Sequence, residues 1–230
     1  MICAWVSYLL RYGRFWWLGM KKRKIISILW MIGIFTLIQG IPVAVGGGTQ
    51  EEMKLEEQRV LEWRKERDAF FRDHQRSPLL PHDKRNFKGL KYYPFNPGYI
   101  FSGKIERFVF NINNPKYYAT FLTNKGTNKR YLSYGKFHFT LDGKQYAIEI
   151  YKSILSDYLF VPFKDKTNGE ETYEGGRYLD AEVLTDYKMV LDFNMAYNPS
   201  CAYNEKFVCV LPPRENMLNI EIRTGEKNFK

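Results

Sequence analysis

The chain is poor in the side chains that enzymes commonly use for nucleophilic or metal chemistry. Its 230 residues include three cysteines and three histidines. A cysteine nucleophile needs an imidazole that accepts the thiol proton, and the spacing of His74, His82 and His138 matches no strong zinc pattern. The sequence also lacks a glycine-rich phosphate loop between a strand and a helix, and it lacks a Gly-x-Ser-x-Gly motif. We therefore expect neither a metal site nor a cofactor.

Acidic residues are missing from the first 45 positions, although six basic residues lie there. Of the 35 basic residues in the chain, 29 follow position 45, together with all 25 acidic residues. The net charge of this larger part is +4, which is ordinary for a folded surface. The excess of positive charge belongs largely to the N-terminus, so we expect no nucleic-acid partner.

The N-terminal segment has the pattern of an export signal. A basic run at residues 21–24 follows Met20 and precedes an apolar stretch at residues 25–45. That stretch is about long enough to span a bilayer, although glycine, glutamine and proline interrupt it. The pattern predicts an export signal over residues 20–48 that starts at Met20, with an uncleaved membrane anchor as the alternative. Residues 1–19 are then an extension upstream of the true start. The domain is expected to be extracytoplasmic, either periplasmic or secreted.

The rest of the chain predicts one helix followed by one β-rich domain over residues 77–230. Residues 49–52 form a capping-box pattern, which predicts a helix over residues 49–76 that leads into the domain. Asp142 and Gly143 separate two alternating apolar runs, which is typical of a β-hairpin. Further strands are predicted at 99–111, 117–123, 158–163, 177–184, 189–194, 207–211 and 218–222. The expected fold is mostly β, an antiparallel sandwich or barrel-like domain with an N-terminal α-helix packed on or beside it.

Five motifs in the domain carry a resemblance to a known family. They are "SPL" at 77–79, "GLKYYPF" at 89–95, "DKTNGEETYEGGRYL" at 165–179, "LDFNMAYNPSCAY" at 191–203 and "PPREN" at 212–216. Together they resemble the bacterial domain-of-unknown-function family 1684, over about residues 55–226. The second cysteine of that family is usually followed by proline, whereas Val210 stands here. The resemblance implies a shared fold but no activity.

A polar cluster in two of these motifs has two interpretations. Arg177 follows two glycines beside an acidic loop, and Asp192 and Asn194 share one face of a strand. In the first interpretation Arg177 anchors an anionic ligand between tyrosine walls. In the second, a buried arginine–aspartate tie closes a long loop, and threonine and asparagine side chains cap its backbone. The candidate ligand-binding residues are Asp165, Thr167, Glu171, Thr172, Tyr173, Arg177, Asp192, Asn194, Tyr197 and Asn198.

Two functions from different classes remain open at this point. The favoured one is an exported, non-catalytic domain that binds a small molecule, an envelope polymer or an envelope protein through the loops around Arg177 and Asp192. Membrane contact is expected only through the N-terminal segment, if it is not cleaved. The alternative is a hydrolase-like enzyme that uses a carboxylate pair among Asp165, Glu171 and Asp192.

The two cysteines of the domain are predicted to form a disulfide. Cys201 and Cys209 would lie in an oxidising compartment if the domain is exported, and paired thiols become disulfides there. The competing interpretations are a reactive thiol and a two-cysteine metal site. The first lacks a plausible base in the sequence, and the second lacks visible partner ligands.

Overall fold

The computed structural model describes residues 49–109, 114, 117–185 and 187–230. The predicted export signal at 20–48 and the extension at 1–19 lie outside these residues. Within the described part of the chain, no helix combines the length and the apolar character needed to cross a membrane.

The predicted N-terminal helix is present as α1, Gln50–Asp73, and a short helix α2, Pro81–Arg85, follows it. Glu51 and Glu52 lie in the first turn of α1, where carboxylates interact favourably with the helix dipole. The helix ends earlier than the predicted residue 76 because side chains beyond it bind its last carbonyls. Ser77 Oγ donates to the Phe71 carbonyl at 2.6 Å, and Lys84 Nζ donates to the His74 carbonyl at 3.0 Å.

Eight antiparallel strands form one strongly curved sheet. Their order is β6-β5-β4-β3-β1-β8-β7, and β2 pairs with β3 off this path. The strands are β1 Ile100–Arg107, β2 Tyr118–Leu122, β3 Asn128–Leu141, β4 Lys144–Lys152, β5 Leu159–Phe163, β6 Arg177–Asp180, β7 Glu182–Thr185 and β8 Lys188–Asp192.

A single stretch of chain brings the two ends of this sheet together. Strands β6 and β7 lie at opposite ends of the order, yet only Ala181 separates them in the sequence. Strand β6 pairs with β5, and β7 pairs with β8. Tyr178 of β6 also bridges Tyr197, which follows β8. The sheet is therefore nearly closed into a barrel, and the expected mostly antiparallel β fold with an N-terminal helix is confirmed.

The predicted hairpin joins β3 to β4. Asp142 has a φ of 50° and Gly143 a φ of 73°. Both values are needed in the two-residue turn whose twist matches that of the flanking strands, and Asp-Gly is one of the few pairs that adopt it readily. Leu141 pairs directly with Lys144 across the turn.

The strands predicted at 207–211 and 218–222 are absent, because each segment makes isolated bridges and no continuous ladder. Val210 bridges Thr123, and Met217 bridges Lys164. Single backbone bonds from Leu211 to Leu122 and from Lys166 to Ile220 attach the segments further. The Ile222 carbonyl accepts from a buried arginine, described below. Leu218 and Ile222 are nevertheless buried in the barrel core. The apolar alternation was therefore a correct indication of burial but a wrong indication of secondary structure.

Candidate functional site

Arg177 lies at the start of β6, and its side chain is completely buried. Its Nη2 donates to Asp165 Oδ2 at 2.7 Å and to the Ile222 carbonyl at 2.8 Å, while Nη1 donates to the Thr224 carbonyl. The Asp165 side chain is also fully buried. The structure thus contains the buried arginine–aspartate tie of the second interpretation, with Asp165 as the partner of Arg177.

A close approach between two backbones places this arginine. Gly176 has a φ of +91°, and a Cβ atom there would lie 2.7 Å from the Phe163 carbonyl oxygen. Only glycine combines that conformation with that proximity. Phe163 pairs with Arg177 in the β5–β6 ladder, and its ring lies 5.3 Å from the guanidinium carbon. The Gly-Gly-Arg motif thus allows the guanidinium group of Arg177 to lie in the interior of the barrel.

Asp165 organises the loop between β5 and β6 with its second oxygen. Asp165 Oδ1 accepts from the Thr167 amide at 2.9 Å and from Thr167 Oγ1 at 2.6 Å. Thr167 Oγ1 lies 2.8 Å from Thr172 Oγ1, and both threonines are buried. This is the loop-closing arrangement that the sequence offered as its second interpretation.

Asp192 and Asn194 contact each other, but they do not share a strand face as predicted, because β8 ends at Asp192. Asp192 caps a short 3-10 turn at Phe193–Met195, and both side chains face α1 and the loop at Asn96. Asp192 Oδ1 accepts from the Asn194 amide and from its Nδ2, both at 2.9 Å. Asp192 Oδ2 accepts from Arg59 Nη2 at 2.7 Å. Burial raises the pKa of Asp192, and the bonds from Asn194 and the charge of Arg59 oppose that shift. Asn194 Oδ1 accepts from the Asn96 amide at 2.8 Å and from Thr224 Oγ1 at 2.6 Å.

Asn198 belongs to a second buried charge network that sequence reasoning missed. Its amide and Nδ2 donate to the two carboxylate oxygens of Glu226 at 3.1 and 3.2 Å. Arg67 of α1 and the Tyr203 hydroxyl donate to the same carboxylate, which is completely buried. Burial raises the pKa of Glu226, while Arg67 and the hydrogen bonds act in the opposite direction.

Three candidate residues reach the surface of these loops: Glu171, Tyr173 and Tyr197 are half-buried. Glu171 Oε1 accepts from Arg223 Nε at 2.9 Å, and this bond lowers the pKa of Glu171. The Tyr173 hydroxyl donates to Cys201 Sγ at 3.7 Å. The outer part of the predicted cluster therefore holds two tyrosines and Glu171, whereas Asp165, Arg177 and Asp192 are internal.

Tyr197 belongs to a compact group of oxygens with Tyr158 and Asp180, which we call the tyrosine–aspartate triangle. Asp180 Oδ1 accepts from the Tyr158 hydroxyl at 2.6 Å and from the Tyr197 hydroxyl at 2.8 Å. The two hydroxyl oxygens lie 3.0 Å apart. Burial raises the pKa of both tyrosines, so both hydroxyls keep their protons. All three residues are half-buried.

Cys201 and Cys209 are neighbours and are present as thiols. The Cys201 amide donates to Cys209 Sγ at 3.2 Å. Cys209 is buried and Cys201 is half-buried. A hydrogen bond with Cys209 and a second with Tyr173 lower the pKa of Cys201 to about 7. The thiols are close enough to contact, and the disulfide remains a prediction.

Comparison with known families identifies the domain. The model of the family described as "Protein of unknown function (DUF1684)" matches residues 85–227. The chain belongs to this family. The resemblance is thereby confirmed over residues 85–227, which include four of the five sequence motifs, whereas "SPL" at 77–79 precedes the matched residues.

A solved structure shares the DUF1684 fold of this chain. It is the solution NMR structure of an uncharacterized protein from Haloarcula marismortui, and it is 31% identical with a TM-score of 0.60. The match covers 78% of this chain and 97% of the other. No curated protein matches. These comparisons support the fold and indicate no activity.

The DUF1684 domain uses most of its predicted site residues to hold its own loops. Within the described ranges, no group of three or more His, Cys, Asp or Glu side chains could hold a metal ion. Sequence reasoning did not single out Glu226, Asp180 or Tyr158, because their partners are distant along the chain. The pairing of β5 with β6 and the bridge from Tyr178 to Tyr197 bring Tyr158, Asp180 and Tyr197 together. A backbone bond to Ala196 and a bridge to Tyr92 place Glu226.

Proposed function

We propose that this DUF1684 chain is an exported, non-catalytic binding protein whose partner is a small molecule, an envelope polymer or an envelope protein. The observation that carries this proposal is the separate pairing of the three candidate catalytic carboxylates. Asp165 pairs with Arg177, Asp192 with Arg59, and Glu171 with Arg223.

A hydrolase with two carboxylates needs one that holds a proton near neutral pH and one that stays ionised, facing each other across a substrate. Burial raises the pKa of Asp192, but both of its oxygens already accept hydrogen bonds, from Asn194 and Arg59, so neither faces a substrate. Arg223 lowers the pKa of Glu171, the most accessible of the three. The buried Asp165 and Asp192 are also enclosed by hydrogen bonds from their own loops. The arrangement thus favours structural roles for all three carboxylates.

The binding surface in this proposal is the outer side of the loops that Arg177 and Asp192 hold from within. Tyr173 and Tyr197 are half-buried there, and aromatic rings supply large contact areas with little loss of conformational entropy. The interior ion pairs keep these loops rigid, which lowers the entropic cost of binding. The extracytoplasmic location rests on the basic and apolar pattern of residues 20–48.

Thermal unfolding of the full chain in the presence of soluble peptidoglycan fragments, together with an assay for new reducing ends, distinguishes binding from catalysis. A ligand at 100 times its dissociation constant stabilises the native state by about 2.7 kcal/mol, which raises the melting temperature measurably. We expect this shift in wild-type protein and in Glu171→Gln, without release of new reducing ends. Tyr173→Ala should reduce the shift. The matched control is Tyr187→Ala, since Tyr187 is 67% exposed on the β7–β8 turn.

The opposite result would identify an enzyme. Release of reducing ends by the wild-type chain, lost in Glu171→Gln, would contradict the non-catalytic proposal. Fractionation of the source cells tests its other half, because full-length protein in the cytosol would contradict export.

A further inference from the structure

The tyrosine–aspartate triangle contains fewer hydrogen atoms than its oxygen contacts require. Its three oxygen–oxygen distances are 2.6, 2.8 and 3.0 Å. Each phenol supplies one hydrogen, and an ionised carboxylate supplies none. If both hydrogens point to Asp180, the oxygens of Tyr158 and Tyr197 face each other without a hydrogen between them. The group therefore has capacity for an additional donor.

The triangle also carries a negative charge without an ion-pair partner. Arg67 lies over the Tyr197 ring at 4.9 Å, but its guanidinium group pairs with Glu226. Asp180 forms no ion pair within the described residues, whereas Asp165, Asp192, Glu171 and Glu226 each do. A half-buried carboxylate without a cation is where an incoming positive charge gains most.

The surrounding rings hold the oxygens in place. The Tyr158 ring stacks on Phe160 with centroids 6.1 Å apart, and the Tyr197 ring packs edge-on against Tyr178 at 6.0 Å. Half-buried Tyr131 and Phe207 belong to the same apolar cluster. The oxygens are thus preorganised beside apolar surface that could contact the carbon stem of a ligand.

These features select one class of ligand. A calcium or magnesium ion prefers six or more oxygen ligands and usually several carboxylates, whereas this group has one carboxylate and two neutral phenols. A primary ammonium group brings three donors and one positive charge, which are the two properties that the triangle lacks. We infer that Asp180, Tyr158 and Tyr197 form a binding site for the ammonium group of a primary alkylamine. The inference rests on the proposed function only in that the domain binds rather than catalyses.

Backbone-amide NMR titration of the full chain at neutral pH tests this site with three probes of similar size. The probes are n-propylammonium, tetramethylammonium and 1-propanol. We expect n-propylammonium to shift the amides of Asp180, Ala181 and Tyr197 in a saturable manner. Tetramethylammonium has the charge but no hydrogen to donate, and 1-propanol lacks the charge, so both should bind at least about tenfold more weakly. Stronger shifts with Nα-acetyl-lysine methylamide than with n-propylammonium would point to a lysine side chain as the natural source of the amine.

Variants separate the site from non-specific attraction. Asp180→Asn keeps the acceptor oxygen but removes the negative charge. Tyr158→Phe removes one hydroxyl oxygen and keeps the ring. Each variant should bind n-propylammonium about tenfold or more weakly than the wild type does. Asp157→Asn is the matched control, because Asp157 is 94% exposed and pairs with Lys152. If Asp180→Asn does not fold, Tyr158→Phe decides the question.

Equal shifts with 1-propanol, or unchanged affinity in the folded variants, would overturn the ammonium site and leave the wider binding proposal standing. A cytosolic location would overturn export and leave the site standing.

Discussion

At the scale of single residues, the fully buried arginine is the most demanding feature of the domain. Arg177 has left water completely, and Asp165 is the buried carboxylate that compensates its charge. A desolvated charge is tolerated only where an opposite charge and good hydrogen-bond geometry accompany it. The backbone carbonyls of Ile222 and Thr224 complete that environment and attach the C-terminal segment to the barrel.

Replacing Arg177 by methionine should therefore destabilise the domain strongly. Asp165 would remain buried without its partner, and breaking such a pair costs about 3–5 kcal/mol of unfolding free energy. Urea denaturation measures the loss. The double variant Arg177→Met/Asp165→Asn should lose less than the sum of the two single variants, because the two side chains are directly coupled.

Arg223→Met is the control for this experiment. It removes an arginine–carboxylate pair in which Arg223 is 55% exposed, so the denaturation midpoint should change little. A small effect of Arg177→Met, or strict additivity in the double variant, would contradict the structural role of the buried pair.

Cys201 should be an unusually reactive thiol in the reduced protein. Its pKa is lowered to about 7, first by the hydrogen bond with Cys209 and then by Tyr173. The thiolate is the nucleophilic form, so the rate of alkylation by iodoacetamide should rise with pH around a midpoint near 7. Peptide mass spectrometry assigns the modified cysteine. Cys209→Ala and Tyr173→Phe each remove a hydrogen-bond donor and should move the midpoint upward, whereas a wild-type midpoint near 9 would contradict the contacts described.

At the scale of elements, helix α1 is attached to the barrel largely through arginines. Arg59 binds Asp192, Arg67 binds Glu226, and Arg64 donates to the carbonyls of Tyr93 and Asn194. The long side chains of Arg64 and Arg67 also lie over the rings of Tyr92 and Trp63. This face of the helix makes both apolar contacts and ion pairs with the barrel. The stability of the helix–barrel contact should therefore depend on pH as well as on apolar packing.

The Asp192 contact provides a pH test of that docking. Burial raises the pKa of Asp192 above its ordinary value of 3.8. An acid whose folded-state pKa is raised favours folding most when it is protonated, so its contribution to stability falls as pH rises from 3.8 through the folded-state pKa. The unfolding free energy of wild type minus that of Asp192→Asn should decrease over this range. An increase would mean that Arg59 outweighs burial, contrary to the structure.

Local patterns predicted the elements whose causes are local. Asp142-Gly143 specifies its turn through backbone conformation alone, and the helix start at Gln50 follows from the capping pattern. The segment 218–222 is not a strand because it makes only isolated backbone bonds with residues 164–166, and the carbonyl of its last residue, Ile222, accepts from Arg177, more than forty positions earlier. The sequence also did not predict the tyrosine–aspartate triangle, because its residues are distant along the chain and meet only through strand pairing and a single bridge. The sequence thus indicated which loops matter, but not which of their side chains face inward.

At the scale of the whole molecule, the closure of the barrel places these features together. The run from Arg177 to Thr185 pairs with β5 along its first half and with β8 along its second. The side chain of its first residue, Arg177, lies in the interior, and Asp180, near its middle, supplies the carboxylate of the triangle. The half-buried Tyr197 and Cys201 follow β8 and pack in the same cluster. The element that closes the barrel therefore also positions the surface proposed for binding.

The state of Cys201 and Cys209 connects this architecture to the location of the protein. If the chain is exported, the neighbouring thiols should be oxidised to a disulfide, which closes a short loop and adds about 2.5 kcal/mol of stability in the chain-entropy model. Thiol titration of unfolded protein, isolated from the extracytoplasmic fraction without reductant, measures their state directly. We expect neither Cys201 nor Cys209 to react in this material, whereas both should react in the control, which is cytosolically expressed protein treated with reductant that is then removed. A melting temperature several degrees higher for the oxidised form should accompany the difference. Two reactive thiols in extracytoplasmic protein would show instead that Cys201 is kept reduced, and its lowered pKa would then point to a reactive role.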